Sequence, residues 1–200
     1  MAFGALKRVS VLLVGNSQLL FLPEHDVARD LRALGLEAEA VARPSATLED
    51  HWHGGAVEKK LEERRWDHVA LQLPSDRSQL EFLDKLVARA LSSGAGCAVF
   101  APWRPAKEPR TGPPAAPAGV PLVDAEPLWR AVLSARPSVK LYAPDGLHSS
   151  AAGSYLAACL LHERLVGAVL EAEDGEERRF LRASAREAAR VQSGVAPRRG

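Results

Sequence analysis

Only two of the 200 residues are cysteine, and they stand far apart at Cys97 and Cys159. Neither belongs to a Cys-x-x-Cys pair and both lie in apolar surroundings, so they are expected as buried thiols in a reducing compartment. An excess of one charge is also missing. Lys and Arg number 26 against 25 Asp and Glu, a formal net charge of +1, so no overall field recruits nucleic acid or acidic lipid. A small, weakly charged partner is expected instead, and the oligomeric state is left open. No apolar run reaches the roughly 20 residues of a membrane span. Lys7-Arg8 followed by Val9 to Val14 imitates the start of a signal peptide. That run stops at Gly15-Asn16-Ser17 with no small-residue cleavage site after it, so a strand and a cytoplasmic protein are expected. With 46% hydrophobic and 26% charged residues, the composition suits a globular core, and the length suits one domain.

Short β-rich runs alternate with segments of helical period, the pattern of βαβ units around a parallel sheet. The strand candidates are Val9 to Val14, Leu36 to Ala42, His68 to Leu73, Cys97 to Ala101 and Val139 to Tyr142. The helix candidates are Pro23 to Leu34, Leu48 to Arg64, Arg77 to Leu91, Asp124 to Ala135 and Ala151 to Leu170, each with apolar residues three and four apart. Pro102 to Pro121 is rich in Pro, Ala and Gly and is expected as a long irregular loop. The division expected is a folded domain over residues 1–170, then a charged, solvated helix and frayed tail over 171–200, ending Pro197-Arg198-Arg199-Gly200.

In an open parallel sheet, ligands gather at the carboxyl ends of the strands. Ser17, just past the first strand in Gly15-Asn16-Ser17-Gln18, is placed to present a hydroxyl there. An ordinary turn with Asn16 or Ser17 capping the next helix fits the same residues. A serine nucleophile needs a histidine base, and that base needs a partner to fix its tautomer. Pro144-Asp145-Gly146-Leu147-His148 puts a carboxylate and an imidazole on one turn; a helix cap beside a surface histidine fits that pattern too. His51-Trp52-His53 has a zinc-like spacing, but in a segment of helical period the two rings diverge, so no metal is expected. His25, His68 and His162 lack converging partners and are expected on the surface or on helix faces. No glycine-rich phosphate loop follows any strand, so no nucleotide cofactor is expected.

Three blocks together resemble the SGNH hydrolases, the GDSL-type esterase and lipase superfamily, in its bacterial Gly-Asn-Ser subgroup. Val9 to Ser17 looks like the first block, with Asn16 where the family name has Asp. Trp66 to Gln72 looks like the third-block strand. Asp145-Gly146-Leu147-His148 through Gly153 is similar to the fifth block.

The resemblance implies a three-layer, flavodoxin-like α/β sandwich with a mainly parallel five-stranded sheet. It also implies serine hydrolase chemistry on an ester or acetyl group of a small molecule, with no cofactor. By that analogy Ser17 is the nucleophile, His148 the base and Asp145 its orienter, and the Ser17 backbone N–H donates to the oxyanion. The second-block glycine is missing near Pro44 to Leu48, which leaves a Ser45 or Ala46 N–H to substitute. The third-block asparagine is missing too, and Gln72 is the nearest amide. Losing an oxyanion donor lowers turnover by about 10² to 10³, so a weak or inactive descendant that binds an acylated or glycan ligand is the alternative. An acetyltransferase would use the same residues. In the 102–121 loop, Trp103, Arg104, Lys107 and Arg110 are candidates to line a substrate pocket, or they belong to a solvated loop.

Overall fold

Six residues, Ser10–Gly15, form strand β1, buried along its whole length. The computed structural model of the chain describes residues 8–23, 25–108, 112–167 and 175–194. β1 pairs in parallel with β2 (Glu37–Ala42) on one side and β3 (His68–Gln72) on the other. β4 (Gly96–Ala101) and β5 (Leu122–Asp124) complete a five-stranded, all-parallel sheet in the order β2-β1-β3-β4-β5. Because the chain moves outward from β1 to β2 and then returns to β1's other side for β3, the strand order reverses there. The carboxyl ends of β1 and β3 therefore flank a crevice.

Side chains alternate along a strand, so β1 feeds two cores. Val11 and Leu13 face helices α1 (Val27–Ala33), α5 (Glu126–Ala135), α6 (Ala151–Leu165) and α7 (Glu176–Gln192), in a cluster that includes Leu31, Trp129 and Leu156. Leu12 and Val14 face α2 (Leu48–His53), α3 (Ala56–Glu63) and α4 (Leu80–Ser92), with Leu61 and Leu86. The result is a three-layer α/β sandwich.

The fifth strand lies elsewhere than the sequence suggests. Val139 to Tyr142 is not in the sheet, although Val139 and Leu141 are buried. Its backbone turns back on itself instead: Tyr142 bridges Ser149 antiparallel, the Ser150 N–H donates to the Leu141 carbonyl at 2.9 Å, and the Ala143 N–H donates to the His148 carbonyl at 2.8 Å. The edge beside β4 goes to Leu122–Asp124, too short between Pro121 and Pro127 to show a strand pattern. The Gln192 side chain caps that edge, accepting from the Asp124 N–H at 3.1 Å and donating to its carbonyl at 2.7 Å.

The helix expected over Leu48 to Arg64 is two helices, broken at Gly54-Gly55, where Gly55 takes a left-handed φ of 71°. α6 is buried nearly all round, from Gly153 to His162, because α7 covers it. The charge run of α7 contains a buried stripe, Leu181, Ala185 and Ala189, so this helix is packed rather than solvated on that face. Pro197 to Gly200 lie outside the described residues. Cys97 and Cys159 are free and buried, and burial pushes their thiols up to about 11 and about 12. No described helix is long and apolar enough to cross a membrane.

Candidate active site

β1 ends at Gly15, where a side chain would overlap the Gln72 amide and the Leu19 side chain. Only glycine lets β3 and the following turn approach so closely. Asn16 then builds that turn: its carbonyl accepts from Leu19 N–H at 3.0 Å, and its Oδ1 accepts from Gln18 N–H at 3.1 Å. Ser17 sits at the crest. From beneath, the buried His51 ring donates its Nε2–H to the Gly15 carbonyl at 2.7 Å. A carbonyl can only accept, which fixes the tautomer, and burial holds this imidazole below its ordinary titration range.

The turn before α6 brings the other partners. Asp145 Oδ1 accepts from the backbone N–H groups of Leu147 and His148 at 2.9 and 3.0 Å. Its Oδ2 lies 2.6 Å from His148 Nδ1. The contact with His148, followed by the Leu147 N–H, holds the Asp145 carboxyl down at about 2, so it is ionised at neutral pH. His148 Nε2 lies 2.9 Å from Ser17 Oγ. The Asp145 side chain is 41% exposed and that of His148 only 13%; Phe21 stacks on the imidazole face with ring centroids 3.7 Å apart and planes within 1°. Gly153 anchors this turn to the core, since a Cβ there would overlap the Leu141 carbonyl oxygen.

Ser17 and His148 open on a cavity of about 790 Å³, which Ser45, Gln72, Arg77 and Arg104 also line. A second cavity of about 230 Å³ adjoins it beyond Ser45 and Gln72. Ser45 adopts a left-handed φ of 57°, a conformation that favours glycine. Its N–H and that of Ser17 have no acceptor among the described residues. Gln72 is buried and fully engaged: its Oε1 accepts from Asn16 N–H at 3.0 Å, and its Nε2 donates to Asn16 Oδ1 at 2.9 Å and Gln18 Oε1 at 3.2 Å.

Similarity to known structures is confined to three-dimensional form. No protein-family model matches the chain, and no curated protein matches it significantly. Among solved structures, a DUF4886 family protein from Bacteroides uniformis superposes with a TM-score of 0.66 at 15% identity, covering 95% of this chain and 97% of that one. A G-D-S-L family protein from Desulfitobacterium hafniense gives 0.56 at 17%, covering 76% and 96%. A lipase/acylhydrolase from Enterococcus faecalis gives 0.51 at 17%, covering 96% and 100%. The chain has the SGNH hydrolase fold. Within the SGNH fold, the five candidate residues named from the sequence, Ser17, Ser45, Gln72, Asp145 and His148, gather at the carboxyl edge of the sheet.

Several neighbours of this site have no local signal in the sequence. Phe21 and His51 act across long separations, and His51 was singled out only for a metal spacing. His162 lies on a helix, α6, but on a buried face, and burial lowers its imidazole. No group of three metal-ligating side chains forms among the described residues. Of the loop candidates, Trp103 and Arg104 line the larger cavity and Lys107 does not; Arg110 lies outside the described residues.

Proposed function

We propose that the protein is a serine hydrolase that cleaves an ester or acetyl group from a small molecule. The observation that carries this reading is the unbroken relay from Asp145 through His148 to Ser17, 2.6 and 2.9 Å per step, in the wall of a cavity large enough for a small ligand. Asp145 holds the Nδ1–H of His148 and balances the charge the ring acquires. His148 Nε2 takes the Ser17 proton as Oγ attacks the carbonyl carbon, then passes it to the departing alcohol. Water, deprotonated by the same nitrogen, attacks the acyl-Ser17, and the acid leaves as Ser17 regains a proton.

Charge on the substrate oxygen falls to the Ser17 and Ser45 N–H groups. Gln72 is assigned as the third donor, through the hydrogen now given to Gln18 Oε1 in the longer of its two bonds. An oxyanion accepts more strongly than a neutral amide oxygen, which favours that exchange. The engagement of Gln72 also supports a second reading, a weak catalyst that binds acylated ligands.

A fluorophosphonate probe separates the two. Labelling of the protein, lost in Ser17→Ala and strongly reduced in His148→Ala, is expected. Well-folded protein that takes no label and hydrolyses aryl esters no faster than Ser17→Ala would overturn the hydrolase assignment while leaving the fold intact.

A further inference from the structure

A guanidinium is permanently charged and carries five N–H donors, so a half-buried one without an acceptor leaves a site incomplete. Arg104 is such a residue. It lines the cavity that Ser17 and His148 open on, its Nε is shut off from solvent, and that nitrogen has no hydrogen-bond partner among the described residues. Arg77 lines the same cavity, and neither arginine forms an ion pair with a described carboxylate. Glu108 is the one carboxylate among the described lining residues; it is exposed and pairs with neither.

The wall that carries Arg104 is held in place although no regular element runs through it. Gln18 Nε2 donates to the Trp103 carbonyl at 3.0 Å and Trp103 Nε1 to the Leu147 carbonyl at 2.9 Å. Tyr142 Oη donates to the Arg104 carbonyl at 2.9 Å, and the Ala106 N–H to the Gly146 carbonyl at 3.0 Å. These bonds tie the Arg104 backbone to the Ser17 turn on one side and to the His148 turn on the other. The charge is thus carried on a pre-organised segment fixed to both reacting groups.

We infer that the substrate is an anionic ester, whose non-reacting part bears a carboxylate or phosphate received by Arg104 with Arg77. This deepens the hydrolase reading and rests on it for the word ester, whereas the anion preference of the cavity stands on the arginines themselves. Among the described residues that line the cavity, two guanidinium groups stand against one rim carboxylate, in a chain whose overall charge is almost nil, while the ionised Asp145 behind the wall is already engaged by His148 and two backbone N–H groups. The recognition is therefore local to the cavity and not a field of the whole molecule.

The test compares 4-acetoxybenzoate and 4-acetoxyphenyl phosphate with neutral 4-acetoxybenzamide, each rate normalised to its reaction with hydroxide. The expected kcat/KM is about tenfold or more higher for at least one anionic ester, the scale of a charge-assisted hydrogen bond. That preference should fall in Arg104→Gln and Arg77→Gln and shrink in 1 M NaCl. Preference for the first ester alone identifies a carboxylate, and preference for the second alone a phosphate. Lys107→Gln removes one charge outside the cavity and should leave the ratio unchanged. Equal or better turnover of the neutral ester overturns the inference, as does a Lys107→Gln loss equal to that of Arg104→Gln. Calorimetric titration of Ser17→Ala with 4-hydroxybenzoate and 4-hydroxybenzamide gives a reading that needs no turnover. Tighter binding of the carboxylate that is lost in Arg104→Gln supports the anion site even if no ester is cleaved, which would count against the hydrolase reading alone. Equal binding, or none, in an enzyme that cleaves all three esters equally removes the anion site and keeps the hydrolase.

Discussion

Gln72 shows how much one side chain decides here. Its amide orientation is settled by backbone partners, because Asn16 N–H can only donate and so must face Oε1, which turns Nε2 toward Asn16 Oδ1 and Gln18. Gln72→Ala removes the assigned oxyanion donor and should lower turnover of a small aryl ester by about 10² or more. A thermal melt run alongside separates that loss from unfolding, and an unchanged rate would strip Gln72 of its catalytic part. Ser17, Asp145 and His148 were legible as candidates in the sequence because each sits in a short local pattern, although their roles came from the family resemblance. Phe21 was not, since a ring stacked on His148 from the other end of the chain leaves no mark in its own neighbourhood.

Among the elements, α2 carries a role that its sequence hides. The His-x-His spacing suggests a ligand pair, yet the helix sends His51 inward to hold the Gly15 carbonyl. Burial holds His51, His68 and His162 below the ordinary histidine range, so each binds a proton more readily unfolded than folded. Stability is full above the unfolded value of about 6.5 and declines as pH falls through it toward the folded values. His51→Ala should be less stable at pH 8 by about 2 to 4 kcal/mol, through a lost buried hydrogen bond and the space left behind. Its further loss between pH 7 and 5 should be shallower than in the parent protein, though not absent, because His68 and His162 remain. Urea unfolding at the two pH values measures both quantities; an equally steep acid loss would show that His51 is not one of the groups responsible.

At the scale of the whole molecule, α7 is part of the main core. Leu181, Ala185 and Ala189 close over α6, whose residues would otherwise present an apolar face to water. Leu181, only 1% exposed, should on truncation to Ala cost about 2 to 5 kcal/mol in urea unfolding, the range for a large core side chain. A change under about 0.5 kcal/mol would show that α7 contributes little to the cooperative unit.

Periodicity and turn chemistry were enough for the sequence alone to indicate βαβ units around a parallel sheet, the Ser17 turn and the Asp145–His148 turn, because local backbone preferences and apolar spacing act over a few residues. The choice of fifth strand was beyond that reach. Val139 to Tyr142 has the stronger strand pattern, but the sheet has one vacancy beside β4, and Leu122–Asp124 fills it while the other segment bonds to its own return turn. The positive φ of Ser45, the Gly15–His51 contact and the cavity shared by Arg77 and Arg104 were likewise decided only in three dimensions. Each depends on which distant segments the packed layers bring together, and no short stretch of sequence records that.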